Sequence, residues 1–150
     1  MRYWRWFCLN LGCIARRGCA VVGVGLVLSG GGAAADEVWE TDQGRVVYLD
    51  DVGDVAVWEL VRADGVGRMY IPGLAGNFDN RGVHTGYWIA DTGGGCGAVL
   101  MGVDGFRGTQ WGQLRVVFHD SGFPTDWTIT LGRCFEDPEI SLRGRSPNKR

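Results

Sequence analysis

Two histidines could carry acid–base chemistry, and one of them has further candidate groups beside it. His119 is followed by Asp120 and Ser121, so a base, an acid and a hydroxyl nucleophile stand in a row. A Ser-His-Asp site needs these side chains to face one another, which residues adjacent in sequence rarely do. The spacing favours a strand that ends in the turn over residues 121–124. A small secreted hydrolase that uses His119 is the alternative.

The densest group of carboxylates is Asp50, Asp51 and Asp54. Paired carboxylates hydrolyse glycosides, and a carboxylate loop can bind calcium. This stretch lacks the alternating oxygen ligands and the terminal Glu of an EF-hand, and Asp is favoured in turns for its local hydrogen bonds. We therefore predict a hairpin turn without a metal ion, and the hydrolase alternative could use this cluster as well.

The most distinctive segment is residues 70–81, which read Tyr-Ile-Pro-Gly-Leu-Ala-Gly-Asn-Phe-Asp-Asn-Arg. The segment is long for a hairpin connection and combines aromatic, amide and basic groups, as binding loops often do. The alternative is a packed Ω-loop that closes one end of the fold with Phe78 as the plug. For the binding interpretation we predict a site formed by Asn77, Phe78, Asp79, Arg81, Trp88 and Trp111.

The run Gly93-Gly94-Gly95 is the one place that resembles a phosphate-binding loop. Such a loop needs a helix N-terminus behind it and, in its common form, a following Lys-Ser/Thr pair. The sequence predicts neither, so we interpret the run as a flexible turn before Cys96. We predict no cofactor, no metal ligands and no catalytic residue.

The first 35 residues have the order of a secretory signal peptide. They contain four arginines and no acidic residue, then an apolar run over residues 19–28, then small residues at 33–35. Two glycines interrupt the apolar run, which is shorter than the roughly 20 residues of a spanning helix. We expect cleavage after Ala35, no stable membrane span afterwards, and export to the periplasm or the extracellular medium.

Cleavage at this point would change the cysteine count. Three of the five cysteines precede residue 36, so the mature chain would keep Cys96 and Cys134. An even pair in an oxidising compartment predicts a disulfide. A bridge across 38 residues contributes at most roughly 4 kcal/mol in the chain-entropy treatment.

Cleavage would also make the chain more acidic. Removing the four arginines leaves 11 basic and 17 acidic residues, a net charge of −6. Four of those basic residues lie within residues 143–150, which we expect to be a flexible basic tail after a single domain over residues 36–142. The acidic domain argues against nucleic-acid binding, because that needs a basic face.

Short apolar and β-branched runs alternate with turn residues along the mature chain, a pattern typical of all-β proteins. In the run around Leu114, Val116 and Phe118 the apolar side chains recur at every second position. The segment 55–61 is apolar at nearly every position, which predicts burial on both faces. The predicted strands are Glu37–Glu40, Arg45–Leu49, Val55–Val61, Arg68–Ile71, His84–Ala90, Gly97–Gly102, Gln110–His119 and Trp127–Phe135.

Short strands joined by short turns predict an antiparallel meander. A meander must hide its two edge strands, and closure into a barrel or packing as a two-sheet sandwich achieves this. We favour a small closed barrel, with the glycines of the mature chain allowing strong coiling. Five tryptophans would fill it: Trp39, Trp58, Trp88, Trp111 and Trp127.

A short stretch resembles a known family. Val66-Gly67-Arg68-Met69-Tyr70 is similar to the Ser-Gly-x-x-Tyr stretch of periplasmic C-type lysozyme inhibitors, which are small exported β-barrels with a disulfide. Val66 stands in place of the serine, and the partner motif Thr-Lys-Gly does not occur. The resemblance implies an exported barrel that acts by binding, and a lysozyme-inhibitor-like protein is a further alternative.

Together these observations predict an exported bacterial protein of the cell envelope that binds a protein or a small molecule. The expectation of a binding module rather than an enzyme rests on two features of the sequence: it lacks a convergent catalytic set, and it has a loop rich in binding-type residues.

Overall fold

The computed structural model describes residues 37–79 and 81–149, so the predicted signal peptide lies outside the described residues. The described residues form ten strands and no helix, which confirms the all-β prediction. They therefore include no helix that is long and apolar enough to cross a membrane. The strands are β1 (Val38–Thr41), β2 (Gly44–Val52), β3 (Val55–Arg62), β4 (Gly65–Pro72), β5 (Val83–Ala90), β6 (Leu100–Met101), β7 (Arg107–Gly108), β8 (Gln110–Phe118), β9 (Trp127–Leu131) and β10 (Ile140–Gly144).

Eight of the strands form one antiparallel sheet in the order β1-β2-β3-β4-β5-β8-β9-β10, and β6 and β7 form a separate small hairpin. Each strand of the large sheet pairs with the next one along the chain, apart from β5, which skips the hairpin to pair with β8. The sheet curls until β1 meets β10, where Glu40 and Arg145 exchange two backbone hydrogen bonds of 2.9 Å. The result is the predicted meander, nearly closed into a barrel.

The interior follows the alternation of the sequence. In β8, Leu114, Val116 and Phe118 face the core, and the alternate apolar residues of β9 do the same. In β3, Trp58 faces the interior while Val57 is buried on the outer face, but Val61 is 43% exposed. The prediction of burial on both faces therefore holds only for part of β3.

Tryptophans occupy the centre of the barrel. The rings of Trp39, Trp58 and Trp127 lie with centroids 4.6–5.8 Å apart, within the range of favourable aromatic pairs. Trp88 belongs to the same core, whereas Trp111 lies outside the barrel. Four of the five tryptophans thus fill the interior as expected.

Residues 91–109, between β5 and β8, fold over the outside of the barrel and are called the flap. The flap carries β6 and β7, and the Cys96–Cys134 disulfide ties it to the β9–β10 connection, which confirms the predicted bridge. Gly102 approaches Tyr70 so closely that a Cβ there would lie 2.1 Å from the phenol oxygen. A second apolar cluster is therefore enclosed between flap and barrel: Val57, Tyr70, Ile89 and Trp111.

Two predicted strands are shorter in the structure. The strand expected over residues 97–102 is reduced to Leu100–Met101 in the flap. The strand expected to run to Phe135 ends at Leu131, because the chain turns at the disulfide, where Cys134 has a φ of 54°. Both shortened strands lie next to the segments that the disulfide joins.

The carboxyl-terminal part differs from the expected flexible tail. Residues 140–144 form β10, which pairs with β9, and Arg145 bridges to β1. Ser146 donates its backbone N–H to the Asp126 carboxylate at 2.9 Å, and Lys149 forms ion pairs with Asp120 and Asp126. The expected flexible tail over residues 143–150 does not describe these residues, because Arg143 and Gly144 belong to β10 while Arg145, Ser146 and Lys149 contact the barrel.

Candidate functional site

Antiparallel order places three connections at the same end of the barrel. The β2–β3 turn, residues 73–79 and 81–82 of the connection between β4 and β5, and residues 119–126 between β8 and β9 all lie there, beside the start of β1. We call this end the loop end. It contains the segment that the sequence singled out as a binding loop.

Arg81 is the centre of the loop end. Its side chain is fully buried, and Nη2 lies 2.6 Å from Oε1 of Glu37, whose side chain is 4% exposed. Its Nε donates to the carbonyl of Asn77 at 3.1 Å, and its backbone N–H donates to the carbonyl of Ser121 at 2.9 Å. One residue therefore joins the start of β1 to two loops.

Three phenylalanine rings surround the buried guanidinium. Its carbon lies 5.3 Å from the ring centroid of Phe78, 5.2 Å from that of Phe118 and 5.7 Å from that of Phe123. These distances fall within the range of cation–π attraction. Phe118 is buried, whereas Phe78 and Phe123 are 43% and 41% exposed. Arg81 thus supports two aromatic rings that face solvent.

The buried ion pair is only partly satisfied. Oε2 of Glu37 and Nη1 of Arg81 have no hydrogen-bond partner within the part of the chain that is described. A buried pair gains little net stability over an apolar pair, but removing one partner leaves a buried charge and is costly. Arg81 was predicted to lie in a binding site; in the structure its side chain is buried and lies against the rings of Phe78 and Phe123.

The predicted loop plug is a different residue. Leu74 is fully buried in the barrel core, whereas Phe78 is partly exposed and lies 6.3 Å, between ring centroids, from Tyr48. The Ω-loop alternative is thus right about a plug and wrong about which side chain provides it. Asp79 is exposed beside Phe78, so the apolar plug and the exposed groups occupy separate parts of the same loop.

The structure does not bring all six predicted binding residues together. Asn77, Phe78, Asp79 and Arg81 share the loop end. Trp88 lies five positions along β5 from its start at Val83, about 17 Å away at the usual rise per residue, and donates its indole N–H to Gly132. Trp111 lies under the flap and donates to Ala98. Neither tryptophan lies at the loop end.

The residues suggested for hydrolysis are also placed apart. Nε2 of His119 lies 2.9 Å from the hydroxyl of Thr128. Asp120 pairs with Lys149, and Ser121 accepts the hydrogen bond from Arg81 through its carbonyl. The described contacts of His119 therefore include a hydroxyl but no carboxylate that would orient it as a base.

The aspartate cluster of β2 and its turn has local hydrogen bonds. Gly53, with a φ of 66°, and Asp54 form the two-residue turn between β2 and β3, which confirms the predicted hairpin. Asp50 accepts the backbone N–H of Asp51, and Asp51 accepts the hydroxyl of Tyr48. Burial and this hydrogen bond raise the pKa of Tyr48 well above its ordinary value. Among the described residues, no group of three potential ligands could hold a metal ion.

The stretch that resembles the lysozyme inhibitors lies in β4 beside the flap. Arg68 pairs with Asp104 of the flap, and Tyr70 donates its hydroxyl to the same carboxylate at 2.8 Å. Burial acts to raise the pKa of Asp104, but hydrogen bonds from the Phe106 amide, Tyr70 and Arg68 lower it overall. These side chains hold the flap and do not form an open surface.

Comparison with protein-family models, curated proteins and solved structures found no match. Sequence reasoning found the loop but missed three residues of the site: Glu37, Phe118 and Phe123. Phe118 was expected only as an apolar residue of its strand, and Phe123 only as part of the turn over residues 121–124.

Proposed function

We propose that this chain is a non-catalytic binding module that holds its partner against the loop end. The observation that carries the proposal is the pair of exposed rings, Phe78 and Phe123, on one buried guanidinium. Aromatic side chains are enriched in interfaces, and rings already fixed in place lose little entropy on binding.

The charges around the rings suggest the chemistry of the partner. Asp50, Asp51, Asp54 and Asp79 are all exposed at this end of the barrel. The central cation, Arg81, is buried and paired. An acidic surface with exposed aromatic rings favours a partner that presents basic groups next to apolar ones, through charge complementarity and cation–π contacts.

We place this module outside the cytoplasm, in the periplasm or the extracellular medium. The signal-like segment 1–35 and the disulfide support this, since disulfides persist in oxidising compartments. The net charge of −6 expected for the mature chain supports a protein or small-molecule partner and not a nucleic acid.

The test replaces the exposed rings and leaves their support intact. Immobilised wild-type protein and the double variant Phe78→Ala/Phe123→Ala would be exposed to an envelope extract, and captured species identified by mass spectrometry. Phe135→Ala is the matched control, because Phe135 is 85% exposed beside Trp111, outside the loop end.

A species captured by the wild type and the control but not by the double variant supports the proposal, provided that all three melt alike. Equal capture by all three would refute a role for the loop end. Asp50→Asn/Asp54→Asn should weaken capture, and added salt should weaken capture by the wild type, if the partner is basic.

A further inference from the structure

The barrel is incompletely closed at the end opposite the loop end. β1 ends at Thr41 and turns through Asp42 and Gln43, whereas β10 begins at Ile140. Glu40 and Arg145 are bridged, so β10 extends beyond the last residue with which β1 pairs. The seam between the two strands therefore opens from the Glu40–Arg145 bridge towards Ile140.

The backbone of β10 has a free edge along this seam. In an antiparallel strand, alternate residues direct both main-chain groups to the same side. Arg145 directs its groups to β1, so Arg143 and Ser141 do so as well, while Leu142 and Gly144 face β9. Within the described part of the chain, no backbone hydrogen bond satisfies Ser141 or Arg143 on the seam side.

A cavity lies over this free edge. Its volume is about 430 Å³, within the roughly 300–1,000 Å³ of typical ligand sites. We call it the notch. Residues of β10 and of the β1–β2 hairpin line it: Glu40, Thr41, Asp42, Ser141, Arg143 and Arg145.

A second pocket opens at the same end of the barrel, and its lining combines apolar side chains with those of Arg62, Arg68 and Gln110. It has a volume of about 90 Å³, and Leu60, Trp88 and Leu131 contribute apolar walls. Its lining also includes Gln43 and Ile140, which flank the notch. We call it the mouth. It is too small for most ligands but large enough for part of one apolar side chain.

We propose that the notch binds an extended peptide segment of a partner protein, which adds as a strand to the free edge of β10. In this type of binding, main-chain hydrogen bonds hold the peptide and pockets select alternate side chains. The backbone groups of Ser141 and Arg143 supply the hydrogen bonds, and the mouth accepts one apolar side chain. This site is separate from the loop end and does not depend on the function proposed there.

The register specifies the side chains of the peptide. In an antiparallel addition, the peptide residues opposite Arg143 and Ser141 face outward, while those opposite Leu142 and Ile140 face inward. Cross-strand pairs of opposite charge are favourable, so the residue opposite Arg143 is acidic. Further acidic residues are disfavoured, because Glu40 and Asp42 also line the notch. The residue opposite Ile140 is apolar and enters the mouth. The pentapeptide acetyl-Glu-Val-Thr-Leu-Thr-amide meets these requirements.

Hydrogen exchange of the free protein tests the edge itself. The amides of Ser141 and Arg143 should exchange at least tenfold faster than that of Leu142, which faces β9. Addition of the pentapeptide should then slow the exchange of Ser141 and Arg143 and shift the NMR signals of residues lining the mouth. Slow exchange of both amides in the free protein would show that no free edge exists and would overturn the proposal.

Modified peptides and protein variants test the mode of binding. Methylation of the amide opposite Ser141 should weaken binding at least tenfold, whereas methylation of the Val amide, which points away from β10, should not. Arg143→Glu should weaken binding of the pentapeptide at least tenfold. Arg115→Glu is the matched control, since Arg115 is exposed on β8, which pairs with strands on both sides.

Two results would overturn the proposal. One is equal affinity of the two methylated peptides; the other is absence of any protection of Ser141 and Arg143 at millimolar peptide. Loss of capture at the loop end would leave these measurements unaffected, so the two proposals fail independently.

Discussion

The buried pair of Glu37 and Arg81 gives the sharpest test of how the loop end is built. Arg81→Ala removes the guanidinium and leaves the Glu37 carboxylate, 4% exposed, without its 2.6 Å partner. Leaving one charge of a buried pair unpaired costs about 3–5 kcal/mol, a large part of the roughly 5–15 kcal/mol that stabilises a domain. We therefore expect Arg81→Ala to be strongly destabilised and Phe78 and Phe123 to lose their fixed positions.

The double variant Glu37→Leu/Arg81→Met separates the cost of an orphaned charge from the value of the pair. Replacing both charges with apolar residues of similar size is often neutral or stabilising, although the cation–π contacts of the buried guanidinium, worth about 2 kcal/mol each when desolvated, are lost. Arg81→Ala loses the same contacts. We expect the double variant to be at least about 2 kcal/mol more stable than Arg81→Ala, because no unpaired charge remains buried.

Urea unfolding of the disulfide-intact protein, followed by tryptophan fluorescence, measures these differences at constant m value. Arg115→Ala, at an exposed position on β8, is the control and should change stability by less than about 0.5 kcal/mol. A cost of less than about 1 kcal/mol for Arg81→Ala would contradict this account. So would a double variant that loses as much stability as the single variants Glu37→Leu and Arg81→Met together.

Three further predictions concern the flap. Asp104→Asn should lower the free energy of unfolding by about 1–2 kcal/mol at pH 7. Because folding lowers the pKa of Asp104, the difference from wild type should persist above about pH 4 and shrink as acid protonates the folded carboxylate. Urea titrations at several pH values would measure this difference. Gly102→Ala should displace the flap and expose Tyr70, detected as faster tyrosine nitration, whereas unchanged nitration would contradict the packing. Cys96→Ser/Cys134→Ser should lower the free energy of unfolding by up to about 4 kcal/mol. An unchanged free energy of unfolding would refute a stabilising role of the disulfide.

The fold was largely predictable from the sequence because a meander depends on local signals. Two such signals depend only on residues a few positions apart: the alternation of Leu114, Val116 and Phe118, and the turn at Gly53 and Asp54. β10 was missed because its exposed face carries Ser141 and Arg143, and these polar residues hide the short apolar alternation. Its strand character comes from pairing with β9, which no local pattern records.

The site was predicted only in part. The loop was visible from its length and composition, but the burial of Arg81 depends on Glu37, which is 44 positions away. Trp88 and Trp111 were predicted to lie in the site because both are large aromatic residues. In the structure Trp88 lies far along β5 from the loop end, and the flap covers Trp111. Contacts between distant segments decide which of two similar side chains reaches solvent.

The bridge between Glu40 and Arg145 also bears on how the chain folds. Most strand pairs in the sheet join successive strands, so they close small loops. This bridge joins residues about a hundred positions apart, so its formation has the largest entropic cost of loop closure. A circular permutant that links β10 to β1 by a short connection and opens between Gly53 and Asp54 would make the seam a local hairpin. The slow long-range closure would then move to the pair β2–β3, and the seam would form early in folding.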